Sequence, residues 1–219
     1  MYPVLYFSSD IKEPLSEDFG GIPGFNLEAG EVKGDTGIEG LRLDFNAGLR
    51  LQVPDGNWHI RIIDSDTDFV FFDQDISART LISMEIYFVR WQVEAWLDGR
   101  YVFSHNFDAH GQDICFQIMG SVLGDAILFF PYILAFQQQW HCQVLCKARE
   151  IFHPLLRTYY PEIRLCNGVT EDTYATYYMG AFQQPPFLLP DNSRVLPSGY
   201  IGLFLLGLME KPAIRLLKA

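Results

Sequence analysis

Between residues 41 and 108, apolar and polar residues alternate in short runs separated by turn residues. Such alternation directs one set of side chains to each face of a β-strand. The strands it predicts are LRLDF, LRLQV, NWHIRII, DFVFF, MEIYFVRWQVEAW and RYVFSHNF. Asp55-Gly56 and Asp98-Gly99 stand between such runs, and Asp-Gly is preferred where a two-residue hairpin turn needs positive φ. We therefore predict six or so short antiparallel strands with two hairpins, preceded by a glycine-rich region with at most one or two strands.

After about residue 112 the pattern changes. The apolar run ICFQIM (114–119) leads into a helical segment near 125–138, then the strand HCQVLCK, the helical run AREIFHPLLRTYYP and the strand EIRLC. Near-continuous apolar strands separated by helices are typical of a parallel sheet covered on both faces, the opening of a doubly wound domain. Further along, TYATYYMGAF predicts a strand or loop, and GYIGLFLLGL a buried helix.

These two patterns, together with a length of 219 residues, predict two domains. The fold class that we expect is an all-β barrel or sandwich over residues 1–111, followed by an α/β Rossmann-like domain over residues 112–219.

The acidic residues are concentrated in the first region. The net charge is −11, and residues 1–75 carry 15 Asp and Glu against 5 Lys and Arg. This balance argues against nucleic-acid binding, which depends on neutralising phosphates. The apolar segments are too short or too interrupted to span a bilayer, and the N-terminus lacks the features of a secretory signal, so a cytosolic location is expected.

The cysteines, histidines and aromatic residues favour structural roles. Cys115, Cys142, Cys146 and Cys166 show no CxxC spacing, which predicts buried, reduced thiols and no metal site. Sugar or peptide binding is an alternative for Trp58, Trp91 and Trp96, but their spacing favours a place in the core. Tyr177 and Tyr178 are expected to pack rather than react, and no role is assigned to His105 and His110.

The segment GSVLGD (120–125) joins the first predicted parallel strand to its helix. Its glycines permit close backbone approach, and the free amides at a helix start favour an anion. It matches neither the dinucleotide GxGxxG motif nor a P-loop. Asp125 has two possible roles: an N-cap or first-turn carboxylate that stabilises the helix, or a general base beside a ligand cleft.

GSVLGDAILFFPYILAFQQQW, followed by the CQVLC strand, resembles the N-terminal half of the heptosyltransferases of glycosyltransferase family 9, whose GDxLxxxP-like loop opens the first of two Rossmann-like (GT-B) domains. It is more similar still to the autotransporter heptosyltransferases, cytosolic bacterial enzymes with a small β-barrel ahead of the catalytic domains. The resemblance implies that Asp125 deprotonates the acceptor hydroxyl in an inverting transfer of heptose from ADP-heptose to serines of autotransporter adhesins. It also implies that Gly120, Ser121 and Gly124 lie near the donor and acceptor.

The resemblance also implies a second, donor-binding domain that is missing from this sequence. The family's ADP-binding residues and its iron-holding cysteine cluster would lie in that missing part, so no cofactor or metal is expected in this chain. A truncated gene product, a fragment and a split enzyme all remain open as explanations. The ring assemblies of the family imply a homo-oligomer.

The leading hypothesis is therefore that the chain is the acceptor-side part of a protein O-heptosyltransferase. One alternative is a lipopolysaccharide core heptosyltransferase, although those enzymes usually lack an all-β unit of this length. The other is a non-catalytic oligomerisation or acceptor-docking fragment.

Overall fold

The structure, a computed structural model, describes residues 2–9, 15–16, 31–85, 88–118, 123–166 and 173–179, with the backbone path alone for 15–16 and 123–128. The chain divides into two compact units. The first comprises residues 1–85 and 89–108, and the second comprises residues 86–88 and 109–219.

The described part of the first unit is built from strands. In chain order they are β1 (Val4–Phe7), β2 (Leu15–Ser16), β3 (Arg42–Asn46), β4 (Arg50–Val53), β5 (Trp58–Asp64), β6 (Phe69–Ile76), β7 (Arg79–Ser83), β8 (Trp91–Leu97) and β9 (Arg100–Asn106). β3, β4, β7, β1 and β2 lie side by side in that order. A second sheet has the order β6-β5-β8-β9. The prediction of a strand-rich N-terminal region is confirmed, in the form of two sheets.

The strand pairs described within residues 41–108 are antiparallel, as predicted. β1, from the region before residue 41, pairs in parallel with β7, with Val4 opposite Thr80. The alternation of apolar and polar residues did not predict β7. Its adjacent residues Thr80 and Leu81 are both buried, so the strand does not alternate. The run MEIYFVRWQVEAW, predicted as one strand, is not continuous either, since β8 begins only at Trp91.

The buried faces of the two sheets meet in one aromatic core. The ring of Phe7 on β1 lies 6.1 Å from that of Phe72 on β6 and 6.2 Å from that of Trp91 on β8. Trp58 and Trp91 are buried, as predicted. Trp96 is only half-buried, and it contacts His59 and Tyr101 on the other face of its sheet. The expectation of a core position therefore fails for Trp96.

One of the two predicted hairpins forms. Asp98 (φ 51°) and Gly99 (φ 73°) join β8 to β9, with Leu97 opposite Arg100, in the two-residue turn that positive φ permits. Asp55-Gly56 does not make a hairpin, because it carries the chain from β4 in one sheet to β5 in the other. In this connection between the two sheets, the Asp55 carboxylate accepts a hydrogen bond from the Ser77 hydroxyl.

A buried carboxylate joins two strand ends of the first unit. Glu85 is 1% exposed, and its Oε1 accepts hydrogen bonds from the Ser8 hydroxyl (2.9 Å) and the Ser9 amide (2.8 Å). The Ser83 hydroxyl lies 3.1 Å from its Oε2. Burial raises the pKa of Glu85, and the hydrogen bonds oppose that effect. The group therefore fastens the end of β1 to the end of β7.

On the exposed face of the four-stranded sheet, His59 lies between two aspartates. Its Nδ1 is 2.8 Å from Asp75 and its Nε2 is 2.8 Å from Asp73. Carboxylates only accept hydrogen bonds, so this geometry favours the protonated ring, in which both nitrogens donate. The bond to Asp75 is the largest cause that raises the pKa of His59 above its ordinary value of 6.5.

We expect this pair of contacts to make the stability of the first unit depend on pH. Because the folded pKa is raised, the stabilisation is fully present below pH 6.5, the unfolded value, and is lost as the pH rises through the folded pKa. Urea unfolding of wild type and His59→Gln across pH 5–9 measures it: the stability difference should shrink as the pH rises, and NMR should show the raised pKa. A difference independent of pH would contradict the assignment.

The described part of the second unit alternates strands and helices. Its elements are β10 (Asp113–Ile118), α1 (Leu123–Trp140), β11 (Gln143–Lys147), a short 3-10 turn (Glu150–Phe152), α2 (His153–Tyr159), β12 (Arg164–Cys166) and β13 (Ala175–Met179). The four strands pair in parallel in the order β12-β11-β10-β13. The three predicted strands and two helices are present, and TYATYYMGAF contains a fourth strand. The predicted helix in GYIGLFLLGL lies outside the described residues.

Within the described ranges, no helix has both the length and the hydropathy needed to cross a lipid bilayer.

Candidate functional site

The parallel sheet of the second unit has a switch in strand order between β10 and β13. From β10 the chain proceeds through α1 to β11 and then through α2 to β12, moving outward on one side, whereas β13 lies on the other side of β10. In open α/β sheets, ligands bind outside the carboxyl ends of the strands, at the point where the strand order reverses. Residues that follow β10 therefore have the best position for chemistry.

Asp125 is the third residue of α1, the helix that follows β10. The helix begins at Leu123, two residues before the predicted start, so Gly124 and Asp125 belong to its first turn rather than to the preceding loop. The backbone thus places Asp125 at the carboxyl end of the first parallel strand. There the first amides of the helix lack intrahelical partners and favour negative charge.

An aromatic cluster fixes α1 against the sheet. The ring of Phe136 on α1 lies 5.4 Å from that of Phe116 on β10 and 5.9 Å from that of Tyr177 on β13. Phe88 adds a contact to Phe136 at 5.7 Å and one to Trp140 at 5.4 Å. Burial raises the pKa of Tyr177, so its phenol stays neutral and packs, as predicted. These contacts hold α1 against β10 and β13 and thereby set the position of the helix.

The remaining residues considered in the sequence are two predicted site residues and two histidines to which no role was assigned. Gly120 and Ser121 lie outside the described residues. His110 precedes β10 and contacts His141, which precedes β11, with ring centroids 5.9 Å apart. Both histidines are therefore at the amino ends of the strands, the edge opposite Asp125. His105 is half-buried on β9 beside Phe45, and burial lowers its pKa.

The cysteines behave as buried thiols. Cys115, Cys142 and Cys146 are buried, Cys166 is partly exposed, and all four are free. Burial raises the pKa of Cys142 to about 11 and raises that of Cys146 as well, which keeps both in the unreactive thiol form. Among the described residues, no group of three or more His, Cys, Asp or Glu side chains could hold a metal ion.

Lys147 was not singled out by the sequence reading. It is the last residue of β11, a strand that ends at the same carboxyl edge of the sheet as β10. The available signal was a charged residue closing the otherwise apolar run CQVLC, at the position where a parallel strand reaches the ligand edge.

Comparison with known proteins identifies the relatives of the chain. A family profile described as "Glycosyltransferase TibC, N-terminal domain" matches residues 37–99. The chain is 39% identical over 150 residues to a protein of Burkholderia thailandensis named inactive autotransporter heptosyltransferase BimC, a match that covers 67% of this chain and 36% of that protein. It is 28% identical over 152 residues to the autotransporter heptosyltransferase TibC of Escherichia coli, covering 67% and 37%.

Solved structures give the same relationship. The iron-containing dodecameric glycosyltransferase TibC from E. coli superposes with a TM-score of 0.69 at 27% identity, covering 77% of this chain and 46% of that chain. The complex of TibC with ADP-D-β-D-heptose gives a TM-score of 0.71 at 25% identity, covering 81% and 48%. The chain thus spans less than half the length of the relatives that it matches.

Proposed function

Because the chain corresponds to the N-terminal part of the autotransporter heptosyltransferases, we propose that it supplies the acceptor side of a protein O-heptosyltransferase. The second unit then contains the Rossmann-like domain of GT-B type that the sequence predicts for residues 112–219. Its parallel order β12-β11-β10-β13, which corresponds to the order 3-2-1-4 of that fold, supports this assignment. In this proposal the donor-binding domain corresponds to the part of the relatives that this chain does not match.

The observation that carries the proposal is the place of Asp125, in the first turn of α1 at the carboxyl end of β10. A carboxylate there can accept the proton of a serine hydroxyl while the serine oxygen attacks the anomeric carbon of the sugar. The new C–O bond forms as the bond to the diphosphate breaks, so ADP leaves and the configuration inverts. Backbone amides around Gly120, Ser121 and Gly124 would bind groups of the donor and acceptor.

The proposed substrates and setting follow the relatives. The donor is ADP-heptose, the sugar nucleotide bound to one TibC structure, and the acceptor is a serine of an autotransporter adhesin. The reaction takes place in the bacterial cytoplasm, before the adhesin is exported. The protein acts as a homo-oligomer, which the dodecameric state of TibC supports.

Reconstitution tests the function. The chain is incubated with ADP-heptose and an unmodified passenger domain, with and without the C-terminal half of TibC as a separate polypeptide. Intact-mass spectrometry should show additions of one heptose mass when both halves are present. The matched controls omit the donor or replace this chain by TibC residues of the same span.

A non-catalytic role is the second candidate, and one specific observation favours it: the relative with 39% identity is named inactive. In that case the first unit would serve in oligomerisation or acceptor docking. Absence of transfer in every combination, together with binding of the passenger or self-association of the chain in light scattering, would decide for this role. A lipopolysaccharide core heptosyltransferase is disfavoured, because the family match at residues 37–99 lies within the strand-rich first unit.

A further inference from the structure

An apolar stripe runs along the outward side of α2 and of the 3-10 turn that leads into it. Ile151, Leu155 and Tyr159 recur every four residues, so they lie one above another on the same side of the segment. They are 74%, 36% and 69% exposed. Phe152 and Leu156, which belong to the opposite side, are buried. The segment is therefore apolar on both sides, and packing within the second unit accounts for only one of them.

Such a stripe is unusual on a surface helix. Single exposed apolar residues are ordinary, but a surface helix normally confines its row of apolar residues to the buried side. Seven large apolar residues are exposed in the described part of the chain, and three of them belong to the segment Glu150–Tyr159. Exposed apolar residues that are grouped in this way are typical of a contact surface for another protein.

Two opposite charges lie beside the stripe. Glu150 is at its start and Arg157 is near its end, and both are exposed. Positions seven residues apart are separated by two helical turns, about 10 Å along the axis, so both lie on the same flank of the stripe. If two copies of the segment pack antiparallel across a two-fold axis, Glu150 of each copy meets Arg157 of the other.

This arrangement favours a second copy over a partner of one charge. A two-fold interface must be complementary to itself, since the same surface patch is used by both subunits. An apolar centre with opposite charges at its two ends meets that requirement. A uniformly acidic partner would place a like charge against Glu150, and a uniformly basic one would do so against Arg157.

We propose that the outward side of α2 packs antiparallel against the same side of a second copy of this chain, burying Ile151, Leu155 and Tyr159 between them. The proposal names one contact surface of the homo-oligomer in the proposed function, and it rests on that function. The segment Glu150–Tyr159 is short, and its contact covers less than the roughly 800 Å² per partner of a standard interface. We therefore expect weak association, with a Kd of about 10–100 µM.

Analytical ultracentrifugation of the full chain, over concentrations on both sides of this expected Kd, tests the surface. Tyr159→Lys should weaken self-association by at least about tenfold, because it removes an aromatic contact and places a charge within the apolar centre. Tyr101→Lys is the matched control: it makes the same replacement at a tyrosine on β9 that is 55% exposed, and it should leave the Kd unchanged. Far-UV circular dichroism checks that both variants are folded.

Charge reversal tests the antiparallel pairing itself. Glu150→Arg and Arg157→Glu should each weaken self-association by about fivefold, because each places like charges opposite one another at both ends of the contact. An equimolar mixture of the two variants should associate as tightly as wild type, since each variant supplies the charge that the other needs. Loss of structure in either variant would not be corrected by mixing.

Each result decides the question. A wild-type chain that stays monomeric at every concentration overturns the proposal, and so does unchanged association of Tyr159→Lys. Weakened single variants that do not recover on mixing overturn the antiparallel pairing. Binding of the adhesin passenger to a monomeric chain, lost in Tyr159→Lys, would overturn it in favour of an acceptor contact. No sugar is transferred in these measurements, so their failure leaves the role of Asp125 intact, and absence of transfer in the reconstitution leaves the self-association result standing.

Discussion

Replacement of Asp125 by asparagine should lower the rate of heptose transfer in the reconstituted system by about 10³-fold, within the range that general-base catalysis contributes. Asparagine keeps the size of the side chain, but its amide cannot take a proton from the acceptor hydroxyl. The first turn of α1 should tolerate the change, because loss of a first-turn carboxylate costs a helix only about 0.5 kcal/mol. Initial rates of heptose addition, measured by intact-mass spectrometry, give the comparison.

The control for this prediction is Asp113→Asn. Asp113 is the first residue of β10, at the other end of the strand that precedes Asp125, and it lies 3.8 Å from Arg164 in an exposed ion pair. Its replacement should leave the rate within about twofold of wild type, because exposed pairs contribute little. Transfer by Asp125→Asn at the rate of the control would remove the general-base role and leave Asp125 with a helix-stabilising role alone.

The second unit was readable from the sequence because its signals are local. Strands buried on both faces appear as continuous apolar runs, and the helices between them require parallel pairing. Each strand of ICFQIM, HCQVLCK and EIRLC was therefore found close to its observed bounds. The position of Asp125 at the carboxyl edge followed from the same reasoning.

The first unit was harder to read because its pairings are long-range. Asp98-Gly99 and Asp55-Gly56 have the same sequence, yet only the first turns a hairpin. The difference lies in the partner of the strand that follows the turn. After Asp98-Gly99, β9 pairs with β8, the strand just before the turn. After Asp55-Gly56, β5 pairs with β6 and β8, which come later in the chain. The buried carboxylate of Glu85 shows the same limit. Its partners Ser8 and Ser9 are more than 70 residues away in the chain, and no local pattern indicates them.

A charged pair on the first sheet is expected to have the largest effect on stability. Asp44 on β3 stands opposite Arg50 on β4. Its Oδ1 accepts a hydrogen bond from Nε of Arg50 at 2.7 Å, and its Oδ2 accepts one from a terminal guanidinium nitrogen at 2.6 Å. The side chains of Arg50 and Asp44 are only 8% and 14% exposed. The Lys33 amide also donates to Oδ2.

Asp44→Ala should reduce the free energy of unfolding by about 3 kcal/mol, because it leaves a buried guanidinium without its counter-ion. Asp35→Ala is the matched control: Asp35 pairs with Arg42 at 3.2 Å, but the two side chains are 73% and 41% exposed, so the loss should be below about 0.5 kcal/mol. Replacing both partners, in Asp44→Leu with Arg50→Met, should recover most of the loss, since no unpaired charge remains buried. Urea unfolding monitored by tryptophan fluorescence measures all three, and equal losses for Asp44→Ala and Asp35→Ala would show that burial does not strengthen this pair.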